Sequence, residues 1–547
     1  SGLQLVAYVV GNGEEMGDLR PFLNQSLPSY MVPAAFVMLE QFPETPNGKI
    51  DRKALPAPEG TLAAADETFV APQDALESQL VQIWQDVLKL PGISTDANYF
   101  ELGGHSLQAV TLFAAIEKQL KVRLPVSLLF KAPTIRQLAA AMRQRGEGIT
   151  EVAPVSTILP RPRGNEPLPL SLAQQRLWFL ETLTSGSSLF NTPLALRLNG
   201  QLDETALTQA CQALVQRHES LRTTFPAVSG IAQQVIHENW PVKLGKMSVS
   251  AEELDAVLQT AVRQPLDTEK GPLLRFHLFH FGQAEHILLL VFHHLVFDGW
   301  SAGIVTNELA TLYEAIRSNR QPDLPELPIQ YADYALWQRD WLTSDTFQTQ
   351  IDYWQNQLSG ELPLLQLPTD KPRPSVKTHN GASTSVLLSP ELTVQITALC
   401  RQTGSTPFML LLAAFKVLLH RYTAQNDILV GTPIANRQQA ELEGLVGFFV
   451  NTLVLRSQVD GRQKFRQLLP QVRHTATAAY DHPDVPFEKL VELLQPERHL
   501  SHDPLFQVMF TYQEEGLRER PLPNLTITPI NLDNGMAQFD LTLSVSR

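Results

Sequence analysis

The chain has 547 residues, 44% hydrophobic and 18% charged, with a net charge of −13; that length exceeds one core and predicts three or four folded units of ordinary globular composition, neither disordered nor fibrous. With 43 basic against 56 acidic residues and no Lys/Arg-rich stripe, the sequence argues against a nucleic-acid or anionic-membrane partner. Two cysteines, Cys211 and Cys400, exclude a disulfide framework and a cysteine-based metal site, and with no run of 18 apolar residues and no signal-peptide pattern at the N-terminus the expected location is cytoplasmic, with no metal ligands.

In chain order, residues 3–10 read as a buried strand. A small, polar, Pro-containing stretch, 56–68 (PAPEGTLAAADET), reads as a linker. Residues 74–89 then place Leu76, Leu80, Ile83, Trp84, Val87 and Leu88 on one helical face. A second helix follows Gly103-Gly104-His105-Ser106, with Leu107, Val110, Phe113, Ala114 and Leu120 apolar, and a third begins at Thr134 ahead of Ile135, Leu138, Ala139 and Met142. Short amphipathic helices joined by loops predict a small bundle. Five prolines within 146–169 mark a second linker. Beyond it, near-continuous apolar strands such as Ile287–Phe292 and Ile428–Val430 alternate with long helices, predicting a covered α/β sheet and, over nearly 400 residues, two lobes. Residues Phe539 to Val545 read as a strand cut off in mid-pattern, so the chain is expected to be a piece of something longer.

Ser106 stands where the loop Tyr99-Phe-Glu-Leu-Gly-Gly-His turns into a helix. A serine there ordinarily caps the first turn, but the same amides and dipole also favour a phosphate. Farther on, His293-His294-Leu-Val-Phe-Asp298-Gly299 ends the apolar strand. Two histidines there are compatible with ordinary buried, hydrogen-bonded side chains. Strand alternation sends them to opposite faces, so that at most one meets a shared cavity, and Asp298-Gly299 reads as a tight turn into the next helix. Overlapping this site, Gly299-Trp-Ser301-Ala-Gly303 fits the pattern of a hydrolase nucleophile elbow, with His474, His482, His499 and His502 as possible triad partners. Against that, several residues separate Ser301 from the strand end at His294, whereas an elbow serine sits directly at the strand-to-helix turn.

Phe100-Glu-Leu-Gly-Gly-His-Ser-Leu107 resembles the modification motif of peptidyl carrier domains. The resemblance implies a four-helix-bundle carrier over 71–145 bearing 4′-phosphopantetheine on Ser106, and His105 beside that serine resembles carriers that hand on directly to a condensation domain. Residues 168–547 resemble the condensation domains of nonribosomal peptide synthetases through eight ordered motifs: Ser171–Leu180, Arg217–Phe225, His293–Gly299, Tyr331–Gln338, Gly431–Arg437, Val446–Asn451, His482–Phe487 and Pro504–Phe510. That family implies two chloramphenicol-acetyltransferase-like α/β lobes. It also implies an amide-forming site at His294, His293, Asp298 and Gly299, with Arg222 as the candidate partner of Asp298 and Asn451 in support. The family usually continues beyond Val545, so a C-terminally truncated domain is expected. Leu27–Pro33 and Pro46–Lys53 resemble the closing motifs of adenylation domains. They imply a small α+β subdomain over 1–56 in which Lys49 contacts the carboxylate and phosphate of the adenylate. Residues 57–70 and 146–167 are then linkers.

The whole is a multidomain α/β reading of a synthetase fragment. Its implied partners are a phosphopantetheinyl transferase, an upstream adenylation core, downstream adenylation and carrier domains, and aminoacyl or peptidyl thioesters. Two alternatives stay open: an epimerisation domain, which shares the His-His-x-x-x-Asp-Gly motif, and a noncatalytic carrier or docking fragment. Trp300-Ser301 after the motif favours condensation, and heterocyclisation is disfavoured because that branch has aspartates at the two histidines. An α-amino group with a pKa of about 8 is partly neutral at cellular pH, so His294 is read either as a proton acceptor or as a group that positions the amine.

Overall fold

The computed structural model describes residues 6–10, 35–39 and 43, then 70–145 apart from 89, 100–101, 103–108 and scattered positions between 110 and 127, then 158–546 apart from 165–166, 184–185, 283, 498–500, 514–518 and 533–534. The chain divides into two compact units, 1–108 with 131–148, and 109–130 with 149–547. Ser106, His105 and Lys49, with both adenylation-type motifs, lie outside the described residues.

In the first unit, β1 (Val6–Val10) pairs in parallel with β2 (Ala35–Leu39), Val6 opposite Ala35. Helix α1 (Ala75–Leu88) starts where Asp74 Oδ1 accepts the Glu77 amide at 2.8 Å, which satisfies one of the free donors of a first turn. Its predicted face is real: Leu80, Ile83 and Trp84 are fully buried, and Trp84 meets Tyr99 edge-on at 5.2 Å. Helix α2 (Ile135–Arg145) begins after Thr134, whose hydroxyl accepts the Gln137 amide at 3.2 Å. Arg143 of α2 reaches the buried Glu77 carboxylate at 3.2 Å.

The second unit contains two larger sheets. The first has the order β14-β15-β4-β10-β9-β8. Its strands are β4 (Asn191–Gly200), β8 (Leu244–Ser248), β9 (Leu274–His280), β10 (Glu285–His293), β14 (Arg520–Leu522) and β15 (Leu525–Ile530). A small sheet beside it joins β3 (Leu168–Pro169), β5 (Thr223–Thr224), β6 (Ala227–Val228) and β7 (Ile231–Ile236). The expected covered sheet is present, but its pairings are antiparallel except that of β8 with β9.

Strand β10 is buried from His286 to His293 because both faces of the sheet are covered. Leu288, Leu290 and Phe292 face helices α4 (Glu204–Arg217) and α6 (Gly299–Arg317). Ile287, Leu289 and Val291 face α5 (Leu254–Val262) and Leu177 of α3 (Leu172–Leu183). A strand buried on both faces reads as a continuous apolar run instead of an alternating one.

The second sheet, in the order β12-β11-β13-β16, contains β11 (Asp427–Ile434), β12 (Asn451–Gln458), β13 (Val508–Gln513) and β16 (Leu541–Ser546). Its core takes Phe408, Leu412 and Phe415 from α10 (Pro407–Thr423) and Leu468, Leu469 and Val472 from α11 (Phe465–Asp481). The strand needs glycine at 431, since a Cβ there would run into the Phe506 ring. Helices α7 (Tyr331–Trp341), α8 (Asp345–Gln357), α9 (Pro390–Thr403) and α12 (Phe487–Leu494) also belong to this unit. Cys211 and Cys400 are both free and buried. Among the described residues no single helix is long and apolar enough to cross a membrane.

Candidate active site

Strand β10 stops at His293, and His294–Val296 forms one 3-10 turn before Phe297. His294 is therefore not on the strand, and the alternation expected of the two histidines gives way to a turn. The reason is local: His293 Nδ1 accepts the Leu295 amide at 3.1 Å, so the side chain caps the turn that follows it. His293 is buried, whereas His294 is partly open. His294 Nδ1 lies 2.6 Å from the Phe297 carbonyl oxygen. A carbonyl only accepts, so Nδ1 carries the hydrogen and Nε2 keeps the lone pair. Burial pushes this imidazole below the ordinary histidine range, partly offset by the Phe297 carbonyl and by Asp298; the neutral form is favoured at neutral pH. The Phe448 ring lies 4.7 Å from the imidazole.

Asp298 does not form a tight turn; it caps α6, and Gly299 is that helix's first residue. Oδ1 of Asp298 accepts the Ser301 amide at 2.9 Å and the Ser301 hydroxyl at 2.7 Å, and Oδ2 accepts the Phe449 amide at 3.0 Å. The guanidinium that pairs with Asp298 is Arg437, Nη2 to Oδ1 at 3.2 Å, and both side chains are buried to 1% exposure. This corrects the expectation of Arg222, which instead donates to the His237 carbonyl at 2.5 Å and approaches Glu219 at 4.0 Å. Arg437 also donates to the Leu442 and Leu445 carbonyls at 2.6 and 2.5 Å and stacks over Phe449 at 4.1 Å. A buried charge with its carboxylate and carbonyls in place is tolerated; one left unpaired is expensive.

Ser301 is fully buried in the first turn of α6, bonded to Asp298, to Arg437 Nη2 at 3.1 Å and to the Gly447 amide at 3.1 Å. No imidazole is among those partners, so the elbow-like pattern is a helix start. A Cβ on Gly447 would run into the Tyr331 ring, which is why this segment carries glycine there. The Tyr331 hydroxyl donates to the Phe448 carbonyl at 2.6 Å and lies 2.9 Å from Ser171 Oγ; burial drives its pKa well up, so it stays a donor. Gln174 donates to the Leu295 carbonyl at 2.9 Å, fastening the first motif to the histidine turn. His218 Nε2 meets Glu308 at 2.8 Å, and Ser220 donates to the Val446 carbonyl at 2.7 Å.

Asn451 lies outside this cluster. Its amide donates to the Pro483 and Val485 carbonyls, both at 2.8 Å, and its oxygen accepts the Phe487 amide at 3.0 Å. It therefore holds the His482–Phe487 loop. His482 itself stacks on Tyr353 at 3.9 Å. Sequence reasoning did not single out Gln174, Tyr331 or Arg437, although each stands inside one of the eight motifs. Among the described residues no group of three or more His, Cys, Asp or Glu side chains is arranged to hold a metal.

Two helix-covered sheets, with a neutral histidine braced by segments from both, define an α/β fold of the condensation type. The chain belongs to the condensation-domain family, whose model matches residues 165–547, and a model described as a phosphopantetheine attachment site matches residues 78–142. Malpinin synthetase of Mortierella alpina is 40% identical over 99% of this chain, which covers 7% of that protein. Tyrocidine synthase 3 of Brevibacillus parabrevis is 39% identical over 98% of this chain and 8% of its own length. The X-domain from teicoplanin biosynthesis shares the fold at a TM-score of 0.66 with 29% identity, over 71% of this chain and 87% of that one. The chain thus spans 7% of the length of malpinin synthetase and 12% of that of gramicidin S synthase 2 of Brevibacillus brevis.

Proposed function

We propose that this chain carries an aminoacyl or peptidyl thioester on 4′-phosphopantetheine at Ser106 and forms a peptide bond from such a donor at His294. When bound, the pantetheine thiol supplies the thioester whose carbonyl carbon meets an amine, with the thiol leaving as the amide forms. The observation that carries the reading is the state of His294: neutral, held by Nδ1, with Nε2 as the lone-pair nitrogen in a residue that is only partly buried. Nε2 accepts a proton as the nitrogen becomes cationic, or fixes the amine at attacking distance. Asp298 and Arg437 carry out no proton transfer; their geometry is that of a brace for the turn.

The division that fits this role is an adenylation closing subdomain with Lys49 over 1–56, a four-helix carrier over 71–145 and a condensation domain over 168–547. It is supported by the motifs of the sequence and by a synthetase that aligns along 99% of the chain. The partners are then a phosphopantetheinyl transferase, an upstream adenylation core, and downstream adenylation and carrier domains. Mass spectrometry after phosphopantetheinyl transfer is expected to place the adduct on Ser106. His294→Ala is expected to lower dipeptide formation from loaded carriers by about 10²- to 10⁴-fold with an unchanged circular dichroism spectrum; wild-type dipeptide yield in that variant would overturn the assignment.

A further inference from the structure

Helix α3 presents two buried polar side chains to the histidine turn. Gln174 and Glu181 are seven residues apart, two helical turns, and so share a face. They are 1% and 7% exposed in an otherwise apolar layer that includes Leu177. Gln174 holds the Leu295 carbonyl at 2.9 Å. Glu181 Oε2 lies 3.7 Å from His293 Nε2, and that nitrogen is buried with no hydrogen-bond partner. A carboxylate in such a place costs folding free energy unless something fixed faces it.

The tautomer of His293 follows from its other nitrogen. Nδ1 accepts the Leu295 amide, so it bears no hydrogen; the neutral ring then carries its hydrogen on Nε2, the atom that faces Glu181. His294 has the opposite tautomer, with Nδ1–H on the Phe297 carbonyl. Turning His293 to its other tautomer would set an N–H against the Leu295 N–H and release the turn that aims His294.

We propose that Glu181 is a positioning residue for His294, acting through His293: its carboxylate holds the Nε2–H tautomer and so keeps the Nδ1 cap on Leu295. The role rests on His294 being the group that meets the amine, but the tautomer is readable without activity. Full-length chain labelled with ¹⁵N-histidine, with the His293 signal assigned by its loss in His293→Gln, is expected to show the Nε2–H tautomer in the wild type and in Glu181→Gln, and mixed tautomers in Glu181→Leu. With the loaded chain and an acceptor carrier, Glu181→Leu is expected to lose about ten- to a hundredfold in kcat at unchanged KM for the acceptor. Glu181→Gln, which keeps an acceptor oxygen, is expected to restore most of that rate. An Nδ1–H signature for wild-type His293, or wild-type kcat in Glu181→Leu, overturns the proposal. A wild-type chain that forms no amide sinks the reading of His294 instead, and the ring signature still decides the role of Glu181.

Discussion

The two sheets of the larger unit contribute differently to one site. The first supplies the histidine turn at the end of β10, a strand covered on both faces. Among the described residues the second supplies no titrating group to His294; from the segments flanking its strands come Arg437 and the backbone at Gly447 and Phe449, all converging on Asp298 and Ser301. The central strands of both sheets are buried, β10 from His286 to His293 and β11 from Ile428 to Thr432, while the edge strands β8 and β16 are largely exposed. The chemistry therefore sits on the first half, while the second half contributes only to the brace, and substitutions in its share of the brace should act first on stability.

The largest expected effect follows directly. Arg437→Ala leaves the Asp298 carboxylate buried without its cation and frees the Leu442 and Leu445 carbonyls. The expected loss is about 3–5 kcal/mol of stability for the unit, read from urea unfolding. Asp298→Ala should cost a similar amount, and the double variant less than their sum, because both remove one interaction. Additive losses would break the claim that this pair joins the two halves.

Asn451→Ala tests the brace at a step further from the histidines. It removes two donors and one acceptor from the loop 483–487, at an expected cost of about 1–3 kcal/mol. At a temperature where the variant remains folded, the rate per folded molecule should stay close to wild type, since none of those atoms touches His294. A kcat lost without any shift in the unfolding midpoint would place Asn451 in the reaction instead.

How much of this could be read beforehand differs by level. The position of His294 was legible, because an apolar run ending in two histidines and Asp-Gly is a local pattern. The turn that takes His294 off the strand was not, since it depends on whether a histidine ring or a neighbouring strand claims the Leu295 amide. The partner of Asp298 was not legible either. Arg222 and Arg437 each stand in a motif of the chain, and the true partner lies 139 residues from the aspartate; only the crossing of the chain between sheets decides which guanidinium arrives. Gln174 and Glu181 were hidden for a related reason, since polar residues in a short amphipathic helix ordinarily face solvent.

The smallest expected effect at pH 6 lies in the core of the second sheet, and it sharpens the contrast by growing as the pH rises. Lys416 of α10 is fully buried, with Nζ donating to the Leu455 carbonyl at 2.6 Å, Ser457 Oγ at 2.9 Å and the Ile428 carbonyl at 3.3 Å. Three acceptors suit an ammonium, yet burial pushes the pKa down from 10.5 to about 7, with Asp427 opposing. A base whose folded pKa is depressed binds fewer protons folded than unfolded between those two values. Stability should therefore rise with pH from about 7 toward 10.5 through this one group. Lys416→Met removes the charge and fills much of the same volume, so the change at pH 6 should be small or favourable, as for other buried ions replaced by apolar chains. Urea midpoints at pH 6, 8 and 9.5 should then separate the two proteins: the difference, variant minus wild type, falls steadily as pH rises. A constant difference would mean that Lys416 keeps its proton throughout, held by its three oxygens, and that this core is as rigidly specified as the histidine turn.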